Sequence, residues 1–181
     1  MRKLVLKMDI TVDGFVAPQD DSVDWMTASR SEEGAAWVLN VVAQAGIHLI
    51  GGNTARGWAT YWPTSDSPFA APMNDIPKVI FSKSLKQLDW QNSQIASGDL
   101  VEEVNRLKQQ EGKYLLAQGG VRLAQSLAKH HLIDEYRLIT RPIALGSGLP
   151  LFSQLDEPLK LELVEAIPFK KGVVAHIYRP A

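Results

Sequence analysis

The sequence contains no cysteine in its 181 residues, which removes disulfides, thiolate metal sites, iron–sulfur clusters and thiol nucleophiles from consideration. No apolar run approaches the roughly 20 residues that a membrane-spanning helix needs, so no membrane partner is expected. Neither charge is in excess: 19 lysines and arginines face 20 aspartates and glutamates, for a formal net charge of −1. A broad basic face, and with it a nucleic-acid partner, is not expected. The histidines, His48, His130, His131 and His176, have no metal-ligand spacing, and no metal site is expected. Arg2-Lys3 precedes an apolar run as in a secretory leader, but Lys7 and Asp9 interrupt it and no small-residue cleavage site follows. These exclusions leave a cytoplasmic protein whose partner is a small molecule.

What remains is ordinary globular material, 45% hydrophobic and 22% charged, enough for one domain over residues 1–181. Leu4, Leu6, Met8, Ile10 and Val12 alternate with Lys3, Val5, Lys7, Asp9 and Thr11, the period-two pattern of a strand. Residues 32–45 read as a helix with acids in its first turn. Asp99, with Glu102 three positions on, opens a second helix, whose apolar face is Leu100, Val104 and Leu107. Short apolar runs at 47–50, 78–81, 114–117 and 133–141 read as strands, and 161–167 with 173–178 as a hairpin. Four prolines between Trp62 and Pro77 mark a loop. The order predicts an α/β sandwich, mostly parallel, with an antiparallel hairpin at its C-terminal end.

Two segments repeat one form: HLIGGNTARGW (48–58) and YLLAQGGVRLAQSL (114–127) each run strand, glycine pair, helix. Such a corner is either a tight turn or a phosphate site, where missing Cβ atoms admit a ligand and the helix offers free N–H groups. Neither is the three-glycine dinucleotide fingerprint or the Walker pattern. Ser82-Lys83, at the end of a strand, has the hydroxyl and point charge of a phosphomonoester site or is an exposed loop pair. Asp13, before Gly14, reads as a turn former; Asp9 faces either solvent or a site. Trp58, Tyr61 and Trp62 suit core packing better than ligand stacking.

KLVLKMDITVDGFVA, LIGGNT, VIFSKSL, the closing LELVEAIPFKKGVVAHIYRP and above all LLAQGGVRLAQSLAKHHLIDEYRLITRPIALGSGLPLF resemble the C-terminal reductase domain of riboflavin-biosynthesis deaminase/reductases. That domain belongs to the dihydrofolate-reductase-like superfamily. The resemblance implies a three-layer sandwich with NADPH across the strand ends, and a reductase of a small heterocycle akin to 5-amino-6-(5-phosphoribosylamino)uracil. It implies Val16 and Ala17 near the nicotinamide, and Gly52, Asn53 and Thr54 at phosphates. Ser82 and Lys83 would meet the adenosine 2′-phosphate; Gly119, Gly120, Val121, Arg122 and Leu123 would cradle the pyrophosphate and nicotinamide side. Asp13 or Asp9, or an ordered water, is the candidate proton donor. Two departures stand out. Gly52 occupies the place of a usual arginine, so either Arg56 substitutes for it or the phosphate grip is weaker. Ala35 and Ala36 fall where dihydrofolate reductases carry their acid, so folate is not the expected substrate. The second hypothesis is a non-catalytic nucleotide-binding dimer on the same scaffold, and a homodimer is expected under either.

Overall fold

The computed structural model describes residues 1–20 and 22–181. The alternating N-terminal run forms β1 (Leu4–Thr11), and the Asp13-Gly14 turn leads into a short β2 (Phe15–Ala17). After a single helical turn, α1 (Asp24–Thr27), comes α2 (Glu32–Ala43), whose N-cap Ser31 accepts the Gly34 amide at 3.2 Å. Then follow β3 (Ile47–Gly51), α3 (Gly52–Tyr61), α4 (Ala70–Asp75), β4 (Lys78–Phe81) and β5 (Ser93–Ile95). Asp99 does cap α5 (Leu100–Gln109), accepting the Val101 amide at 2.8 Å. β6 (Leu115–Gly119), α6 (Val121–Lys129), β7 (Glu135–Arg141), β8 (Leu149–Pro150) and the hairpin β9 (Leu161–Pro168) and β10 (Val174–Pro180) complete the chain.

Eight strands form one sheet in the order β5-β4-β3-β6-β1-β7-β10-β9. The first six run parallel, and β10 and β9 are antiparallel, as the C-terminal hairpin requires. The period-two pattern of β1 splits the molecule into layers. Leu4, Leu6, Met8 and Ile10 join the core that α5 and α6 supply through Val104, Leu107, Leu123 and Leu127. Val5 points the other way, into a core of Val41 and Val42 from α2, Ala55 from α3 and Met73 from α4. The result is the helix–sheet–helix sandwich of the dihydrofolate-reductase-like fold.

The region expected to be a loop between Trp62 and Pro77 is not all loop: it carries a 3₁₀ turn (Trp62–Thr64) and α4. Pro72 misled because it sits in the first turn of α4, where no intrahelical N–H is needed. The far end of α4 is closed by Lys78, which is 1% exposed. Its Nζ donates to the carbonyls of Met73, Asn74 and Ile76 at 2.8–2.9 Å, and lies 4.6 Å from the Trp90 ring centre. Burial still pushes this amine down to about 8. Lys78→Met keeps the bulk but takes this donor from the Met73 and Ile76 carbonyls, Asn74 still accepting from Asn92, so it should lower the unfolding free energy in urea by about 3 kcal/mol.

Candidate functional site

β3 and β6 are neighbours, yet the helices that follow them leave in opposite directions. α3 packs on the α2 side of the sheet before β4, and α6 packs on the α5 side before β7. Helices diverging from adjacent strand ends open a crevice at the carboxyl edge of a parallel sheet. Both glycine pairs stand at that edge. A Cβ at Gly120 would lie 3.1 Å from the Gly51 Cα, and Gly120 has φ +100°, so two constraints select glycine there. A Cβ at Gly52 would lie 2.6 Å from Ser82, and one at Gly119 would strike Thr54 and Trp58 at 2.9 Å. The two corners and the end of β4 therefore meet in one place.

A cleft of about 1310 Å³ opens over them. All twelve residues expected at a cofactor line it: Val16 and Ala17 of β2, Gly52, Asn53 and Thr54 of α3, Ser82 and Lys83 after β4, and Gly119 to Leu123 where β6 turns into α6. Arg56 does not line the cleft but reaches its outer rim, donating to Ser84 Oγ at 3.0 Å beside Lys83. The Ser82 hydroxyl accepts the Leu85 amide at 3.1 Å, which fixes the turn that presents Lys83. Charge is concentrated here. Among the described residues, Lys7, Arg30, Lys83, Arg122 and Arg141 line the cleft against one carboxylate, Asp9.

The two acids part company. Asp9 does line the cleft, and Arg141 donates to its Oδ1 through Nε at 2.8 Å and Nη2 at 2.6 Å, with Lys7 Nζ 3.4 Å from Oδ2. Asp13, the other expected donor, does not line it. Its carboxylate accepts the Thr11 hydroxyl at 2.5 Å and the amides of Leu145 and Gly146 at 3.2 and 2.7 Å. The Thr11 hydroxyl first, and then the Gly146 amide, hold it below the usual carboxylate range. Asp13 is an anchor: it ties the turn after β1 to the segment entering β8, and β8 pairs with the β2 strand that carries Val16 and Ala17.

Other lining residues escaped the sequence reading. Trp58, Tyr61, Trp62 and Phe69 form an aromatic wall rather than core alone, and Tyr61 is 56% exposed. Ala96, Gly98 and Leu100 enter from the start of α5. Gln118 also lines the cleft, and below it lies His48, fully buried and, among the described residues, only half satisfied. Its Nδ1 is 3.1 Å from Gln118 Nε2, while Nε2 has no partner. Burial, then the nearby Lys78 charge, lower His48 from 6.5 to about 4, the Pro72 carbonyl acting weakly the other way. The folded protein thus refuses a proton that the unfolded chain accepts, so this group's contribution is complete above pH 6.5 and is lost as pH falls towards 4. The loss amounts to about 3 kcal/mol. Urea unfolding from pH 4.5 to 7 should show a shallower acid slope for His48→Leu than for the unmodified protein.

The RibD C-terminal domain family matches residues 2–175. An uncharacterised Bacillus subtilis protein, YyaP, is 30% identical over 182 residues, covering 98% of this chain and 94% of its own. Among solved structures, a protein from Shewanella sp. PV-4 named for riboflavin biosynthesis superposes with a TM-score of 0.81 at 20% identity, over 99% of both chains. Dihydrofolate reductase from Enterococcus faecalis, solved with NADP(H), gives a TM-score of 0.63 at 13% identity over 97% of this chain and 93% of its own. At these identities the two structures speak for the fold. Among the described residues, no helix is long and apolar enough to cross a membrane.

Proposed function

Because the chain belongs to the RibD C-terminal domain family, a reductase-type family, we propose that it is an NADPH-dependent reductase of a small heterocyclic substrate. The observation that carries this reading is the meeting of both glycine corners and the Ser82-Lys83 turn along one cationic cleft. The fit to a dinucleotide rests on the same atoms. Side chains at Gly51 or Gly120 would fill the corner, and the N-termini of α3 and α6 converge there with N–H groups suited to a pyrophosphate. Lys83 and Arg56 supply cations, and Ser82 a hydroxyl, for a 2′-phosphate at the β4 end. That order puts the nicotinamide end over β6 and β1, below Val16 and Ala17.

When bound, NADPH supplies a hydride. The chain's own part is orientation and exclusion of water. The Asp13 anchor holds β2 over the nicotinamide end, and the aromatic wall closes the side of α3. Asp9 is the acid that faces the substrate. Its ion pairs with Arg141 and Lys7 keep its oxygens directed, and the Asp9–Lys7 pair handles the balancing proton.

β9 lies at the free edge of the sheet and is exposed on both faces, with Leu163 at 55% and Val164 at 47%. An eight-residue edge with apolar residues on both sides calls for a cover, and a second copy of the chain is the homodimer we propose. Light scattering at micromolar concentration should give twice the 20.0 kDa chain mass, and Leu163→Lys with Val164→Lys should give the monomer.

Titration of the tryptophan fluorescence, with Trp58 and Trp62 in the cleft wall, tests the cofactor directly. NADPH should bind more tightly than NADH, and Lys83→Ala should weaken NADPH about tenfold while leaving NADH unchanged. Equal affinities in the unmodified protein would sink the role of the Ser82-Lys83 turn.

A further inference from the structure

β6 carries one residue more than its partner at the cleft edge. Ala117 stands opposite Leu49 and Gly119 opposite Ile50, so Gln118 is the extra residue of a register shift. An irregularity of this kind re-aims a side chain at the end of a strand, and here it delivers the Gln118 amide to the cleft.

The amide's orientation is set from below. Nε2 of Gln118 lies 3.1 Å from His48 Nδ1 and 3.2 Å from Met73 Sδ, which accepts a hydrogen bond and cannot donate one. A neutral imidazole carries one N–H, and with it on Nε2 the Nδ1 lone pair also accepts. Both N–H bonds of the Gln118 amide are thereby taken up inside. Among the described residues its Oε1 bonds no group and is not a buried orphan, so it opens onto the cleft. The oxygen is an acceptor with a fixed direction, beside the Gly119-Gly120 corner.

We propose that Gln118 is a specificity-determining residue that accepts a hydrogen bond from the carboxamide N–H of the nicotinamide, and that His48 is its positioning residue. The proposal rests on the NADPH reading above, which places the nicotinamide end over β6. His48 acts by presenting an acceptor to the amide nitrogen, so that the oxygen cannot turn inward.

The test compares NADP⁺ with its 3-acetylpyridine analogue, in which a methyl ketone replaces the carboxamide and the N–H donor is lost. Tryptophan fluorescence gives both dissociation constants without any turnover. The unmodified protein should prefer NADP⁺ about tenfold, the size of one well-formed hydrogen bond in a cleft. Gln118→Leu should abolish the preference by weakening NADP⁺ to the level of the analogue. Gln118→Glu keeps an acceptor oxygen and should keep the preference. His48→Leu should also reduce it, with Gln118 intact, whereas a merely structural loss would weaken both dinucleotides alike. Equal binding of the two by the unmodified protein, or a preference that survives in Gln118→Leu, would overturn the proposal. Should neither dinucleotide bind, the NADPH reading itself fails and takes this proposal with it.

Discussion

Gly51 and Gly120 lie back to back where β3 and β6 end, so close that a methyl group on Gly120 would press on the Gly51 backbone. This contact is the constraint on which the rest depends. It lets two strands stay paired to their last residues while their helices turn to opposite faces of the sheet. The crevice follows from that divergence, and so does the convergence of two helix N-termini on one point. Gly120, with φ +100°, adds a backbone conformation that other residues adopt only at a cost. Nothing in the cleft's chemistry requires a special cofactor motif. The crevice arises here from the absence of four side chains.

Below the cleft floor the protein buries polar groups rather than avoiding them. Lys78 ties β4 to the end of α4, and Met73, one of its carbonyl partners, also meets the Gln118 amide. His48 sits between the two, neutral because burial and the Lys78 charge both resist a second proton. The connections run from a helix end through a thioether and an imidazole to the floor of the cleft. Such a network makes the position of the cleft floor depend on the packing of α4.

Much of this was legible in the sequence. The alternation of β1, the Asp99 cap and the two strand–glycine–helix corners each reflect local physics, and local physics is written in consecutive residues. The resemblance then named twelve of the positions that line the cleft. What was not legible was tertiary. Asp9 and Asp13 look alike in sequence, four residues apart on the same chain segment. Only the pairing of β1 with β7 brings Arg141 to Asp9, and only the fold-back of residues 145–146 claims Asp13. The same holds for Gln118, whose exposure depends on a one-residue register shift, and for α4, whose proline reads as a breaker until its place in the first turn is known.

The unequal sharing of charge has a consequence of its own. Among the described residues five cations and one carboxylate line the cleft, in a chain with a formal net charge of −1, so the rest of the chain carries a net charge of −5. The molecule is a dipole whose positive pole is its own mouth. An approaching anion is repelled from the flanks and drawn towards the opening, and the protein turns to meet it before any contact forms. Capture should therefore be fastest in dilute buffer and slow as added electrolyte shortens the reach of that field.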